Sequence, residues 1–369
     1  MKQRWEKYIL GVIDGKKRGL FPRLTAGGLM LLSYGFRTGV HCRNWAHDQG
    51  LVACYHSPVP VVVSVGNIVA GGTGKTPVTL KLAEELSKDF KLAILSRGYR
   101  SPAEKRETPL VLSRGKGPEY TASYCGDEPY LLASRAPDAS VYVGRNRVKA
   151  SVLAAQQGAE IILLDDGMQH RRLARDFEII VVDGLDPFGK GYFLPRGLLR
   201  ESPKALKKAD LIIVNHVGDE KQFEAVVGEL RRFTKAPIAG ATPRISSIEN
   251  AAGEKVSSLS GVKVGLFCGI ANPKRFRSLV EEQGVTVVSE LCTSDHILPT
   301  DKTLRKFAER CQQMGAEYLV CTEKDLVKLK DDFECALPIV SVNIRLKLLS
   351  GSSEWESLME KIKERVITK

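Results

Sequence analysis

The chain has 369 residues, 43% of them hydrophobic and 27% charged. That composition excludes a disordered or collagen-like polymer, and the length suits about two domains of roughly 100–200 residues each. The net charge of +12 points to anionic partners, whether nucleic acid, an anionic membrane or a phosphorylated substrate. The eight cysteines (42, 54, 125, 268, 292, 311, 321 and 335) contain no CxxC pair, and the six histidines no HxxxH pair. Neither a disulfide framework nor a structural zinc site is therefore expected, and the thiols read as reduced in a cytosolic compartment.

Residues 1–57 carry nine Lys or Arg against three acids, a local charge of +6. Between Arg23 and Arg37 lie thirteen uncharged residues, LTAGGLMLLSYGF. As a helix they would span about 20 Å, short of the roughly 30 Å hydrocarbon core, so a membrane span is not expected. No small-residue cleavage site follows, which argues against a secretory signal. Two readings remain: a helix packed on the protein itself, or an interfacial anchor. In the second, Leu29, Met30, Leu31, Leu32 and Phe36 enter the acyl boundary, and Lys16, Lys17, Arg18, Arg23, Arg37 and Arg43 meet lipid phosphates. The coincidence of charge and apolarity favours the anchor.

From Val61 onward apolar runs alternate with amphipathic stretches. Strands are expected at 61–65, 92–95, 140–143, 161–164, 178–182 and 210–214, with helices at 77–88 and 145–157 among the connections. A polar stretch at 244–258 reads as a linker. Strands then follow at 262–270, 285–291, 317–322 and 338–346, with helices at 273–284 and 301–314. The alternation predicts an α/β protein built on a P-loop NTPase-like, mostly parallel sheet with helices on both faces, plus a second, smaller α/β domain. The expected division is a basic segment 1–57, a kinase domain 58–246 and a C-terminal domain 247–369.

The sharpest motif is GNIVAGGTGKT at 66–76, between the first strand and the following helix. Strand, glycine-rich loop and helix N-terminus form the setting of a phosphate-binding loop. Val69, Ala70, Gly71, Gly72, Thr73, Gly74, Lys75 and Thr76 are the candidate nucleotide contacts. Lys75 would reach the β- and γ-phosphates of ATP, and the Thr76 hydroxyl would ligate Mg²⁺. The usual pattern GxxxxGK[ST] places glycine where this chain has Val69, so the loop is atypical.

Acidic residues supply the other candidates. IILLDDGMQH at 161–170 is an apolar strand ending in Asp165 and Asp166, an arrangement that suits an Mg²⁺-holding carboxylate; capping a turn is the alternative. Asp183 ends the next strand. GDEP at 126–129 puts Asp127 and Glu128 at an expected helix start, where N-capping is the default role. Arg200 and Glu201 sit in the loop GLLRES, and His296 follows Asp295 in TSDHILPT.

Taken in order, these motifs resemble the tetraacyldisaccharide 4′-kinase family, the lipid A 4′-kinases. The resemblance rests on PVPVVVSVGNIVAGGTGKTP, ILSRGY (94–99), GDEP, GRNR (144–147), LLDDGMQH (163–170), GLLRE (197–201), GIANPKRF (269–276), SDH (294–296) and TEKD (322–325). It implies ATP- and Mg²⁺-dependent transfer to the 4′-hydroxyl of a tetraacylated glucosamine disaccharide 1-phosphate. It also implies a peripheral protein on the cytoplasmic face of the bacterial inner membrane, with two α/β domains closing around the nucleotide. By the same resemblance Asp127 pairs with His296 and activates the acceptor hydroxyl. Lys75 and Arg200 would then stabilise phosphoryl charge, and Asp165, Asp166 and Glu201 would organise metal and water. Departures are Met168, where an aromatic is expected, and Lys190, Arg196 and Leu198, where Asn, Ala and Pro are expected. The partners implied are the lipid disaccharide and an anionic membrane surface.

Two rival readings stand beside this one: a P-loop kinase of another small hydroxyl acceptor, and a membrane-associated switch ATPase. Ala70 stands where such switches carry a signature lysine. Nucleic acid is not an expected partner, because the basic charge gathers at the N-terminus without interleaved stacking aromatics.

Overall fold

The computed structural model describes residues 2–295, 297–330 and 332–369. Two helices come first, α1 (Lys2–Ile13) and α2 (Leu20–Asp48). Pro22 lies in the first turn of α2, where a missing N–H costs nothing. The helix ends at Gly50, whose φ of 71° lets its N–H reach the His47 carbonyl at 3.1 Å while Leu51 N–H reaches Ala46 at 2.9 Å. At 29 residues α2 is about 43 Å long, far beyond the uncharged stretch that announced it. Its charged residues keep it from qualifying as a span, and among the described residues no helix is long and apolar enough to cross a membrane.

The α/β succession then runs β1 (Val61–Gly66), α3 (Lys75–Leu86), β2 (Leu92–Ser96), β3 (Leu110–Arg114), α4 (Ala122–Cys125), α5 (Asp127–Arg135), β4 (Ser140–Val143), α6 (Arg147–Gln156), β5 (Ile161–Asp165), β6 (Phe177–Asp183), β7 (Leu211–Asn215) and α7 (Glu220–Leu230). It continues with β8 (Ile238–Asn250), β9 (Lys263–Cys268), α8 (Pro273–Glu281), β10 (Thr286–Cys292), α9 (Asp301–Gln313), β11 (Tyr318–Thr322), α10 (Glu323–Leu326), β12 (Ile339–Ser350) and α11 (Ser352–Thr368).

Contact density divides the chain into two units. The first holds Met1–Lys75, Leu164–Thr242 and Leu348–Lys369; the second holds Thr76–Leu163 and Pro243–Lys347. These pieces interleave along the chain, which changes unit after Lys75, within β5 after Leu163, and within β8 and β12.

In the first unit the strand order is β8-β7-β6-β1, all parallel, with Gly66 opposite Ile180 and Asp183 opposite Asn215. Continuous apolar runs make these strands, as burial on both faces requires, and every residue of β1 and β7 is buried. Ile68, Val69, Ile180, Val182 and Val214 share one core with Phe193 and Leu199.

In the second unit β2 pairs in parallel with β4, and β3 adds antiparallel to β4. The strands β10-β9-β11-β12 form a further parallel run. The mostly parallel α/β expectation holds. The expected linker at 244–258 does not, since β8 runs to Asn250. Two of its serines are bonded to β12: Ser246 Oγ donates to the Asn343 carbonyl at 3.1 Å, and Asn343 Nδ2 donates to Ser247 Oγ at 2.9 Å.

Candidate functional site

The phosphate loop leaves the carboxyl end of β1 and enters α3, whose first residue is Lys75. Two asparagines hold it from behind. Asn67 Nδ2 donates to Thr73 Oγ1 at 3.0 Å, and the fully buried Asn215, at the end of β7, donates to the Thr73 carbonyl at 3.0 Å. Gly74 is left-handed at φ 84°, and a Cβ there would lie 1.9 Å from Asn215 Nδ2. Only glycine fits.

Val69, the departure from the usual pattern, is 4% exposed and sits in the core of the first unit. It is not among the positive-φ residues, so its position does not need glycine. Val69 bridges antiparallel to Leu199, Ala70 N–H donates to the Leu198 carbonyl at 2.6 Å, and the N–H groups of Arg200 and Glu201 both reach the Ile68 carbonyl. The loop's entry is thereby stitched to residues 198–201. Leu198 also packs against the core, and a Cβ at Gly189 would meet its Cβ at 2.6 Å.

Three expected site residues come together here. Asp166 follows β5 in a left-handed conformation, φ 51°. Its carboxylate lies 3.4 Å from Lys75 Nζ and 3.2 Å from Arg200 Nη1. Burial pushes the Asp166 carboxyl up, but the charges of Lys75 and Arg200 outweigh it and hold the group below the usual carboxylate range. The cluster presents two cations bridged by one carboxylate, which suits an incoming polyphosphate able to take over the cations. Asp165 ends β5 at 4% exposure. Met168 packs on Gly66, where a Cβ would come within 2.4 Å of the Met168 Cβ.

Glu201 stands apart from that cluster. It is 3% exposed, and its carboxylate accepts from Arg43 Nη2 and, at 2.8 Å, from Asn44 Nδ2, both on α2. Arg43, expected to meet lipid phosphate, is turned inward to this pair. Elsewhere on α2 Leu31 is 73% and Leu32 63% exposed, Phe36 37%, Leu29 and Met30 are half-buried, and Ser33 and Val40 are buried.

A second charged cluster belongs to the other unit. Asp127 opens α5 after Gly126, and Glu128 N–H donates to its Oδ1 at 3.0 Å. Asp127 lies 3.2 Å from Lys328 Nζ, which also reaches Asp325 at 3.3 Å. Asp325 is fully buried and accepts from Gly269 N–H at 3.1 Å and Thr322 Oγ1 at 2.7 Å. Lys324 pairs with Glu128. Burial pulls the Lys324 ammonium down, but Glu128, Asp127 and Asp295 raise it above its ordinary value. Asp127 and Glu128 of the GDE motif, Asp325 of TEKD and the nearby Asp295 thus surround Lys324 and Lys328, with the Gly269 N–H held on Asp325. His296 lies outside the described residues.

Sequence reasoning missed Asn67, Asn215, Lys324, Asp325 and Lys328. Asn67 and the TEKD residues lay inside quoted motifs but carried no assigned role. Asn215, at the end of an ordinary apolar strand, had no local signal.

A family model described as Tetraacyldisaccharide-1-P 4′-kinase matches residues 26–364. The Tetraacyldisaccharide 4′-kinase of Chlamydia abortus is 38% identical over 340 residues, covering 90% of this chain and 89% of that protein. The protein of that name from Pelobacter propionicus is 38% identical over 342 residues, covering 92% and 93%. Among solved structures, the "apo" form LpxK from Aquifex aeolicus in complex with ATP superposes with a TM-score of 0.73 at 29% identity, covering 91% of this chain and 99% of that one. With a glycine-rich loop after β1 and paired aspartates at the end of β5, set in matches of that extent, the chain belongs to the tetraacyldisaccharide 4′-kinase family.

Proposed function

We propose that the chain transfers the γ-phosphate of ATP to the 4′-hydroxyl of a tetraacylated glucosamine disaccharide 1-phosphate, in the synthesis of lipid A. The observation that carries this is the Lys75–Asp166–Arg200 cluster beside a glycine-rich loop at the end of a parallel strand, in a chain matched to the family over residues 26–364.

Each residue then has a part. The loop from Gly71 to Lys75 cradles the polyphosphate with its backbone. Lys75 and Arg200 exchange Asp166 for phosphoryl oxygens and stabilise the charge that spreads over them during transfer. A sugar hydroxyl is a weak nucleophile, so Asp127, acting with His296, accepts the 4′-hydroxyl proton as the new O–P bond forms and ADP leaves. Lys328 keeps the Asp127 carboxylate fixed.

Among the described residues no three His, Cys, Asp or Glu side chains form a metal cage. The donors to hand are the buried Asp165 carboxylate and the Thr76 hydroxyl, hard oxygens that suit an Mg²⁺ held largely by phosphate and water. When bound, that ion would neutralise charge on the β- and γ-phosphates.

The exposed apolar residues of α2 and the basic residues around it support peripheral docking on an anionic bilayer, which for this substrate is the cytoplasmic face of the inner membrane. Incubation with γ-labelled ATP and a bacterial lipid extract tests the reading. One labelled lipid is expected, lost in Asp127→Ala. Label confined to a water-soluble acceptor refutes the lipid substrate, and near-normal turnover of Asp127→Ala refutes its role as proton acceptor.

A further inference from the structure

Helix α2 grips the two loops that supply the charged groups of the phosphate site. Glu201 is buried, with Arg43 and Asn44 on its carboxylate. Its backbone and that of Arg200 both donate to Ile68, at 3.1 and 2.8 Å, at the entry to the phosphate loop. Arg171, five residues beyond Asp166, donates to the Asn44 carbonyl at 3.0 Å and pairs with Asp48. On the same helix Ser33 Oγ donates to the Phe193 carbonyl at 2.8 Å. A carboxylate serving metal or water at the transfer site would face Asp166. The Glu201 carboxylate instead faces α2, while the neighbouring Arg200 side chain extends to Asp166 and, at 3.5 Å, to Asn67.

We propose that Glu201 is a positioning residue, locked by Arg43 and Asn44, and that α2 thereby sets Arg200 for phosphoryl transfer. This rests on the reading of Arg200 as a phosphoryl-stabilising group. The physical basis is rigidity. Arg200 has a flexible side chain on a loop, and its aim depends on how well the next residue is fixed. A buried carboxylate with a guanidinium and an amide on its two oxygens is a firm fixing point, and breaking the pair leaves a buried charge uncompensated. The helix that presents Leu31 and Leu32 outward is then the one that holds the catalytic arginine, so lipid engagement and phosphoryl transfer share one mechanical element.

The test is a double-mutant cycle on the full chain, with ATP and the lipid disaccharide 1-phosphate in mixed micelles. The variants are Arg43→Met, Arg200→Met, their combination and Arg43→Lys, each also melted thermally. Arg43→Met is expected to lower kcat about tenfold or more, with the KM for ATP and for lipid within about threefold. The combined variant is expected to be no slower than Arg200→Met, and Arg43→Lys to recover part of the rate. Multiplying effects in the combined variant overturn the proposal. So does a raised lipid KM at unchanged kcat, which makes Arg43 a lipid contact. If Arg200→Met alone is fully active, the reading of Arg200 falls instead. Should Arg43→Met not fold, Asn44→Ala, which leaves the Arg43 guanidinium on Glu201 but removes the amide's bond to that carboxylate and the bonds its oxygen accepts from Arg43 and Arg171, is put through the same cycle with the same two outcomes.

Discussion

Gly74→Ala measures how tightly the phosphate loop is built. Two costs add. An L-residue at φ 84° is strained by about 1–2 kcal/mol. The new Cβ would also stand 1.9 Å from Asn215 Nδ2, so Asn215 must move and give up its bond to the Thr73 carbonyl, at about 1–3 kcal/mol for a buried acceptor left unpaired. A total of about 3 kcal/mol corresponds to roughly a hundredfold loss of ATP affinity if the loop deforms to relieve it. Titration calorimetry with ATP reads the affinity, and thermal melting shows whether the fold survives. The steric part should vanish when Asn215 is trimmed: in an Asn215→Ala background the added effect of Gly74→Ala should shrink by about tenfold or more, leaving only the dihedral strain. A Gly74→Ala protein that binds ATP within about threefold of the parent refutes the reasoning. An undiminished effect in the Asn215→Ala background refutes the steric half of it.

Two further outcomes are expected. Burial pushes the Glu323 carboxyl up to about 7, with the Arg135 guanidinium at 3.2 Å pulling the other way. Because the folded value lies above the unfolded one, stability should fall as pH rises from about 4.5 to 7, by at most about 3 kcal/mol. The melting temperature of Glu323→Gln relative to the parent should therefore climb between pH 5 and pH 8, and a flat difference contradicts this. On α2, replacing the exposed Leu31 and Leu32 with serine should weaken co-sedimentation with anionic vesicles while leaving the melting temperature unchanged, and undiminished binding contradicts the docking face.

Strand positions were legible because buried parallel strands are continuous apolar runs. All six strands expected between residues 61 and 214 occur within two residues of their expected bounds. β3 was missed: its LVLSR is short, mixes polar residues and pairs antiparallel at an edge, which blunts the apolar signal. The stretch 244–258 looked like a linker because composition records polarity but not partners, and the partner on β12 lies almost a hundred residues away. The α2 helix was recognised only by its uncharged middle, since arginines on a helix surface interrupt a hydropathy run without interrupting the helix.

The site divides along the same line. Spacing and residue type alone determined the phosphate loop, the paired aspartates after β5 and the acidic start of α5, because each is a local pattern whose chemistry depends on neighbours in sequence. Tertiary structure alone decided that Val69 fills the core rather than the loop, that Asp166 bridges Lys75 and Arg200, that Lys328 joins Asp127 to Asp325, and that Glu201 faces α2. Those relations reach between residues as far apart as Asp127 and Lys328, and the charge, burial and direction of a side chain there are properties of the packing around it rather than of its own segment.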